Sequence, residues 1–203
     1  MTAGTHQTLV LASASTIRRE MLERAGLRVE CRPARIDESS IRDSLVAEGA
    51  SVRDIADALA EQKARRISAR DPGAVVLGAD QVLVLDGEIL SKPGTPERAR
   101  EQLRRLRGRT HHLLSAAVIC REGRPEWRHV GRATLTMRRF SDAFLESYLQ
   151  EAGEAILHCV GCYQLEAAGI RLFSRVEGDY FTILGLPMIE LTNHLYQSGF
   201  LQP

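Results

Sequence analysis

The chain is short of three things, and each shortage excludes a class of protein. Cysteine is scarce: Cys31, Cys120, Cys159 and Cys162 are four thiols in 203 residues. That is too few for a disulfide scaffold, and in a reducing compartment they stay as thiols. Charge of one sign is not in surplus, with 27 Lys plus Arg against 26 Asp plus Glu. A chain that coats a nucleic acid polymer carries a clear basic excess, so no such partner is expected and any anion site must be local. Long apolar runs are also lacking. None approaches the ~18 residues that cross a bilayer, and the polar opening Met1–Thr8 has no signal-peptide pattern. The expectation is a cytoplasmic protein without a membrane partner. No repeat, low-complexity stretch or linker divides the chain, so a single domain over 1–203 is expected, with room for two lobes.

What is there alternates between strands and helices. Leu9–Ser13 reads as a short buried strand and Thr16–Ala25 as a helix that Gly26 ends. Arg28–Ala34 alternates like a strand. Val52–Arg70 carries an apolar stripe, Ile55, Ala56, Leu59, Ala60 and Ala64, stopped by Asp71-Pro72-Gly73. Ala74–Leu85 is a nearly continuous apolar strand, followed by an Asp86-Gly87 hairpin turn. Pro96–Leu106 is a helix with Thr95 as its N-cap. Thr110–Cys120 and His129–Arg138 pair around a turn-rich Arg121–Pro125. Ser141 caps a helix running to Glu151, Ile170–Val176 is a strand, and Pro187–Gln197 is the last helix. Helices interleaved with hairpins predict an α/β fold with a mixed sheet and flanking helices.

Two stretches carry chemistry. In LVLASASTIRREML a buried strand feeds a helix N-terminus, where unpaired N–H groups and a partial positive charge suit phosphate. Ser13 and Ser15 add hydroxyls, and Arg18 or Arg19 can clasp phosphate oxygens through two parallel bonds. The plainer alternative is a Ser cap followed by solvated arginines. In VVLGADQVLVL, Asp80 and Gln81 interrupt a buried run. A carboxylate there is costly unless it is paired or binds a cation, and Gly78 permits a close backbone approach. The alternative is a structural Asp bonded to main-chain N–H groups. Lys63, mid-helix, and Lys92, held extended before Pro93, are unremarkable alone and would complete a polyphosphate and metal site only by converging on it.

Two signals are set aside. Cys159-Val-Gly-Cys162, beside His158, has CxxC spacing, but structural zinc needs a second ligand pair, and Cys31 and Cys120 stand alone. His111-His112 has no nearby carboxylate partner and is expected on a strand surface.

The stretches LASASTIRREML, IDES, EQKA, GADQVLVLDGEILSKP, GCYQLEAAG and EGDYFTILGLP, in that order over nearly the whole chain, resemble the Maf family of nucleoside triphosphate pyrophosphatases, once called septum formation inhibitors. The resemblance implies an elongated α/β fold related to inosine triphosphate pyrophosphatases, with two lobes around a cleft. It implies hydrolysis of a nucleoside triphosphate to the monophosphate and pyrophosphate and a divalent metal such as Mg, Mn or Co; the family often forms dimers, so a homodimer is a partner that the resemblance allows. Matched position by position, Ser13, Ser15, Arg18, Lys63 and Lys92 would face the phosphates. Glu38 would line the site and share a metal with Asp80, itself the general base or a metal-bound carboxylate. The chemistry fits, since water attacking phosphorus needs a base and a metal and the departing pyrophosphate needs positive charge.

The family has two branches. The dTTP- and UTP-preferring branch carries Arg before the cradle Arg, Thr after the catalytic Asp and Gln at a later specificity position. The branch acting on 7-methyl-GTP has a non-Arg residue, Gln and Glu there. This chain reads Ile17, Gln81 and Glu166, which resembles the second. It departs from the family at Thr16 (usually Pro), Ala167 (Gly) and Thr182 (Asn), and Ile17 replaces a bulky ring. The implied function is a house-cleaning pyrophosphatase on a modified nucleotide. The alternatives are a dTTP/UTP pyrophosphatase and a nucleotide-binding regulator of cell division.

Overall fold

One glycine decides how the longest helix meets the central strand. The strand is β3, Val75–Leu85, and the helix is α3, Val52–Ser68. A Cβ at Gly78 would lie 2.1 Å from the Ala60 carbonyl oxygen and 2.7 Å from the Ala64 nitrogen. Helix backbone therefore rests directly on strand backbone, which only glycine allows.

The computed structural model describes residues 7–202; the opening residues on which the absence of a signal peptide was read lie, up to residue 6, outside them. The remaining elements, in chain order, are β1 (Thr8–Leu11), α1 (Thr16–Arg24), β2 (Arg28–Cys31), α2 (Glu38–Ala47), β4 (Glu88–Leu90), α4 (Pro96–Leu106), β5 (Thr110–Arg121), β6 (Arg124–Met137), α5 (Asp142–Ala152), β7 (Phe173–Glu177), α6 (Tyr180–Ile183) and α7 (Met188–Gln197). Among the described residues the strands form one mixed seven-stranded sheet in the order β2-β1-β3-β5-β6-β7, with β4 also on β3. β1 pairs in parallel with β2 and β3, whereas β3–β4 and β6–β7 are antiparallel. The expected α/β fold with a mixed sheet and flanking helices is what forms. No helix among the described residues is long and apolar enough to cross a membrane.

The chain divides into two compact units. One comprises the segments up to Asp80, Ser115–Gly131 and from Gly185 onward. Its buried residues include Leu9 and Leu11 of β1, Ile55 and Leu59 of α3, Leu77 of β3, and Leu191 and Leu195 of α7. The other comprises Gln81–Leu114 and Arg132–Leu184. Its core gathers Leu83 and Leu85 with Leu103, Leu106, Leu135, Leu145, Tyr148 and Phe173.

Several sequence expectations need correction. The turn-rich span before β6 is a two-residue hairpin, Glu122-Gly123, with both φ positive at 52° and 73°, so β6 starts at Arg124 and not at His129. β7 begins at Phe173, because Ala168–Leu172 winds into a 3₁₀ turn. β2 stops at Cys31 and is largely exposed, as a strand at the end of the sheet order can be. His111, expected on a strand surface, is fully buried: on β5 it shares the inward face with Leu113 and Ser115, and its Nε2 lies 2.8 Å from the Tyr163 hydroxyl. Burial pushes its pKa down to about 4, so it is neutral.

Candidate active site

The first unit brings five of the expected residues together around the end of β1 and the middle of β3, and α2 adds a sixth. β1 is buried and ends at Leu11, and the chain turns through Ala12–Ser15 into α1. Ser15 is the N-cap, its side chain accepting from the Arg18 N–H. Ser13 Oγ accepts from the Ser15 N–H at 3.2 Å and from Arg18 Nη1 at 3.4 Å. A serine oxygen that accepts from the protein still carries its own hydrogen, so these bonds leave each hydroxyl a donor.

Arg18 is held by main chain. Its Nε donates to the Gly185 carbonyl at 2.9 Å and its Nη1 to the Ala79 carbonyl at 3.0 Å. Gly185 has φ +103°, and a Cβ there would sit 3.2 Å from Arg18 Nη2, so a bare backbone suits this contact. Burial draws the guanidinium pKa down, and the Asp80 and Glu38 carboxylates oppose that shift. An arginine starts so high that it stays charged.

Lys63 is the residue the sequence reading undervalued. It lies on the buried stripe of α3, three residues beyond Ala60 and four before Ile67, with 7% of its surface exposed. The stripe spacing was itself the signal: a lysine at a core position needs an anionic partner. It has two. Its Nζ is 2.6 Å from Asp80 Oδ1 and 2.9 Å from Glu38 Oε1. Asp80, 6% exposed, is thus satisfied by an ammonium and not by main-chain N–H groups. Burial raises the Asp80 pKa and Glu38 adds to the rise, while Lys63 and Arg18 pull it down; the net shift is upward. Glu38 stands at the start of α2, next to its N-cap Asp37, and is exposed. α2 was not read from the sequence because it buries no residue, although Asp37 caps it by accepting from the Ser40 N–H at 3.0 Å.

Two carboxylates meeting one ammonium within 2.9 Å also suit a hard divalent cation. Among the described residues no group of three or more His, Cys, Asp or Glu could hold a metal. Such a cation would complete its shell with water and phosphate oxygens, as Mg²⁺ commonly does.

Ile17 is half-buried on α1. The other three expected residues belong to the second unit. Lys92 is exposed, four residues ahead of α4. Glu166 is exposed on a turn closed by the Ala167 N–H donating to the Gln164 carbonyl at 3.2 Å. Arg171, an available neutralising partner for Glu166, pairs with Glu151. Lys92 and Glu166 both act on the Cys159 thiol electrostatically, in opposite directions, so they share a neighbourhood. Gln81 Nε2 donates to the Thr182 and Ile183 carbonyls at 3.2 and 3.0 Å. In the CxxC stretch, Gln102 Oε1 accepts from the Gly161 N–H at 3.1 Å and from Cys162 Sγ at 2.9 Å, and burial pushes the Cys162 thiol up to about 12.

Comparison with known proteins accords with this geometry. A family described as Maf-like protein matches residues 8–198. A nucleoside triphosphate pyrophosphatase of Roseobacter denitrificans is 54% identical over 95% of this chain and 97% of its own length. Nucleoside triphosphate pyrophosphatase 1 of Jannaschia sp. is 50% identical over 96% and 98%, and the nucleoside triphosphate pyrophosphatase of Caulobacter vibrioides 49% over 95% and 96%. With a family match spanning all but the two ends of the chain, and with the serines, arginine, lysine and carboxylates of its first unit held together as described, this protein belongs to the Maf family.

Proposed function

We propose that this enzyme, a nucleoside triphosphate pyrophosphatase, acts on 7-methyl-GTP as its preferred substrate, releasing pyrophosphate and the monophosphate. The observation that carries the chemistry is the buried Asp80–Lys63 pair, joined by the exposed Glu38, beside the anchored Arg18. Asp80 is the general base toward the attacking water, and its raised pKa brings it nearer the range where a base is both ionised and effective. Lys63, Arg18, Ser13 and Ser15 receive phosphate oxygens, and Lys92 joins them on the basis of the family resemblance. Positive charge and hydroxyl hydrogens aimed at the leaving pyrophosphate stabilise what develops in the transition state. Asp80 and Glu38 would hold a divalent metal, which supplies Lewis-acid polarisation when bound. The family resemblance also carries the proposals of a single functional domain, a cleft between two lobes, a cytoplasmic setting and a homodimer.

The substrate preference rests on Ile17, Gln81 and Glu166 matching the 7-methyl-GTP pattern. Guanine presents N1–H and an amine side by side, and a carboxylate accepts both. Methylation at N7 makes the ring cationic and strengthens that bond. Uracil and thymine offer one N–H between two carbonyls, and each polar group left unpaired costs ~1–3 kcal/mol. That Arg171 is engaged with Glu151 supports a reading role for Glu166 over simple neutralisation of that arginine. The test is kcat/KM for 7-methyl-GTP and UTP with the wild type and Glu166→Gln. The wild type favours 7-methyl-GTP and the variant narrows the gap; a wild-type preference for UTP, or an unchanged ratio, refutes the assignment.

A further inference from the structure

We propose that Cys159 and Cys162 are a redox-sensitive pair: a hydroperoxide closes them into a disulfide, and closure slackens the loop that carries Lys92. Closure rests on the local geometry, and its effect on catalysis rests on the phosphate role proposed above for Lys92. Every residue involved belongs to the second unit. The two cysteines, both free thiols, are the ends of a four-residue turn in which the Cys162 N–H donates to the Cys159 carbonyl at 3.3 Å. Gly161 stands third in it at φ 80° and ψ −1°, the conformation a type II turn requires there. A Cβ at Gly161 would lie 2.5 Å from Tyr163 Cε1 and 2.6 Å from Leu83 Cδ1, so packing also keeps this position bare. Such a turn holds its end Cα atoms within ~7 Å of each other, and a disulfide spans Cα separations of ~4.4–6.8 Å.

The same turn is tied to the Lys92 loop. Gln102 Oε1 accepts from the Gly161 N–H and from Cys162 Sγ, while its Nε2 donates to the Ser91 carbonyl at 2.9 Å. On the far side of Lys92, the Gly94 N–H donates to the Leu157 carbonyl at 3.2 Å. One glutamine amide thus holds the turn at one end and the residue before Lys92 at the other. Cys162 donates to it only while its sulfur carries a hydrogen, and a disulfide sulfur carries none. Cys159 is the attacking thiol, since it is part-buried while Cys162 is fully enclosed. Its thiolate takes one peroxide oxygen, the O–O bond breaks, and the other oxygen leaves as an alcohol (water, for hydrogen peroxide). The Cys162 sulfur then attacks the Cys159 sulfur, and the sulfenic hydroxyl departs with the Cys162 proton as water. Two thiols lose two electrons and two protons, and the peroxide is reduced. Burial and Glu166 raise the Cys159 pKa against the pull of Lys92, and burial raises that of Cys162, so closure quickens as pH rises.

The test treats Cys31→Ser, which removes the exposed thiol, with hydrogen peroxide at neutral and at mildly alkaline pH. Two of its three remaining thiols disappear. The intact mass falls by two hydrogens, peptide mapping joins Cys159 to Cys162, the change is faster at the higher pH, and dithiothreitol reverses it. In the oxidised protein kcat/KM for pyrophosphate release from 7-methyl-GTP and from UTP falls roughly 2–10-fold, as the loss of one hydrogen bond implies, and returns on reduction. Cys31→Ser/Cys159→Ser forms no cross-link and keeps its activity under peroxide. Surviving thiols, or oxygen added to single cysteines without a cross-link, would overturn the pairing. A cross-linked protein with undiminished kcat/KM would overturn the effect on the loop. Lys92→Ala with wild-type kcat/KM would overturn the phosphate reading of Lys92 itself, whatever the thiols do.

Discussion

Replacing Gly78 with alanine tests the joint on which the candidate site depends. The added Cβ would stand 2.1 Å from the Ala60 oxygen, 2.7 Å from the Ala64 nitrogen and 2.8 Å from the Ala64 Cβ. Two of the three are backbone atoms of α3, so no rotamer change relieves the overlap. Carbon and carbonyl oxygen rest at ~3.3 Å, so α3 must retreat by about 1 Å. Lys63 lies on the same turn, between Ala60 and Ala64, and would be carried with it. Its 2.6 Å contact with Asp80 would then exceed hydrogen-bond length. Overpacking of this kind costs roughly 1–3 kcal/mol. For a chain of this size each kcal/mol moves Tm by about 2–4 °C, which gives a fall of roughly 2–12 °C. Scanning calorimetry reads that fall, and pyrophosphate release reads the accompanying loss of turnover. A Gly78→Ala protein with wild-type Tm and wild-type turnover would refute the argument, because α3 could not then lie against β3 as described.

Asp80→Asn keeps the circular dichroism spectrum and loses roughly 10²–10⁴-fold in kcat as a general base is removed; a folded variant with near-native turnover contradicts the role. Arg18→Ala and Lys92→Ala lower kcat/KM for every triphosphate by similar factors, because phosphate contacts do not read the base. A strong change in the ratio between two bases would mark the residue as a base reader instead. The acidic limb of the kcat/KM profile reports ionisation of Asp80, whose pKa burial raises from its usual value and Lys63 restrains. Activity rises with pH through that pKa, and Lys63→Met removes the restraint and moves the limb to higher pH. A limb that stays in place or moves lower would detach the titration from Asp80.

Much of this protein was legible before any coordinates, and the misses share a cause. Helices α1, α3 and α4 announce themselves through caps and apolar stripes: Ser15, Ser51 and Thr95 each accept from a main-chain N–H three residues on. The Asp86-Gly87 turn carries positive φ at both residues, as the hairpin requires. α2 shows no stripe because it buries nothing. The 3₁₀ turns between α5 and β7 have no period long enough to recognise. Asp80 was conspicuous because a carboxylate inside an apolar strand breaks a pattern. Lys63 stands among charged neighbours, Glu61, Arg65 and Arg66, so its core position shows only when the spacing of the stripe is carried one turn further. The grip of Gln81 on α6 was beyond reach, since it joins residues a hundred positions apart and involves main-chain carbonyls that any sequence would supply.

The contrast between buried Lys63 and exposed Lys92 has a practical side. These are the only two lysines in the chain, every other basic side chain being arginine or histidine. Apart from the terminal amine, lysine-directed chemistry therefore has two targets, and an amine reagent at neutral pH finds Lys92 open while Lys63 is enclosed by two carboxylates. Of the two lysines, dyes, cross-linkers and amine-coupled surfaces would therefore converge on the one in the loop ahead of α4, the position proposed for phosphate. A preparation immobilised through that lysine would be blocked at the proposed phosphate position, whereas coupling through the exposed thiol of Cys31 on β2 would leave both lysines untouched.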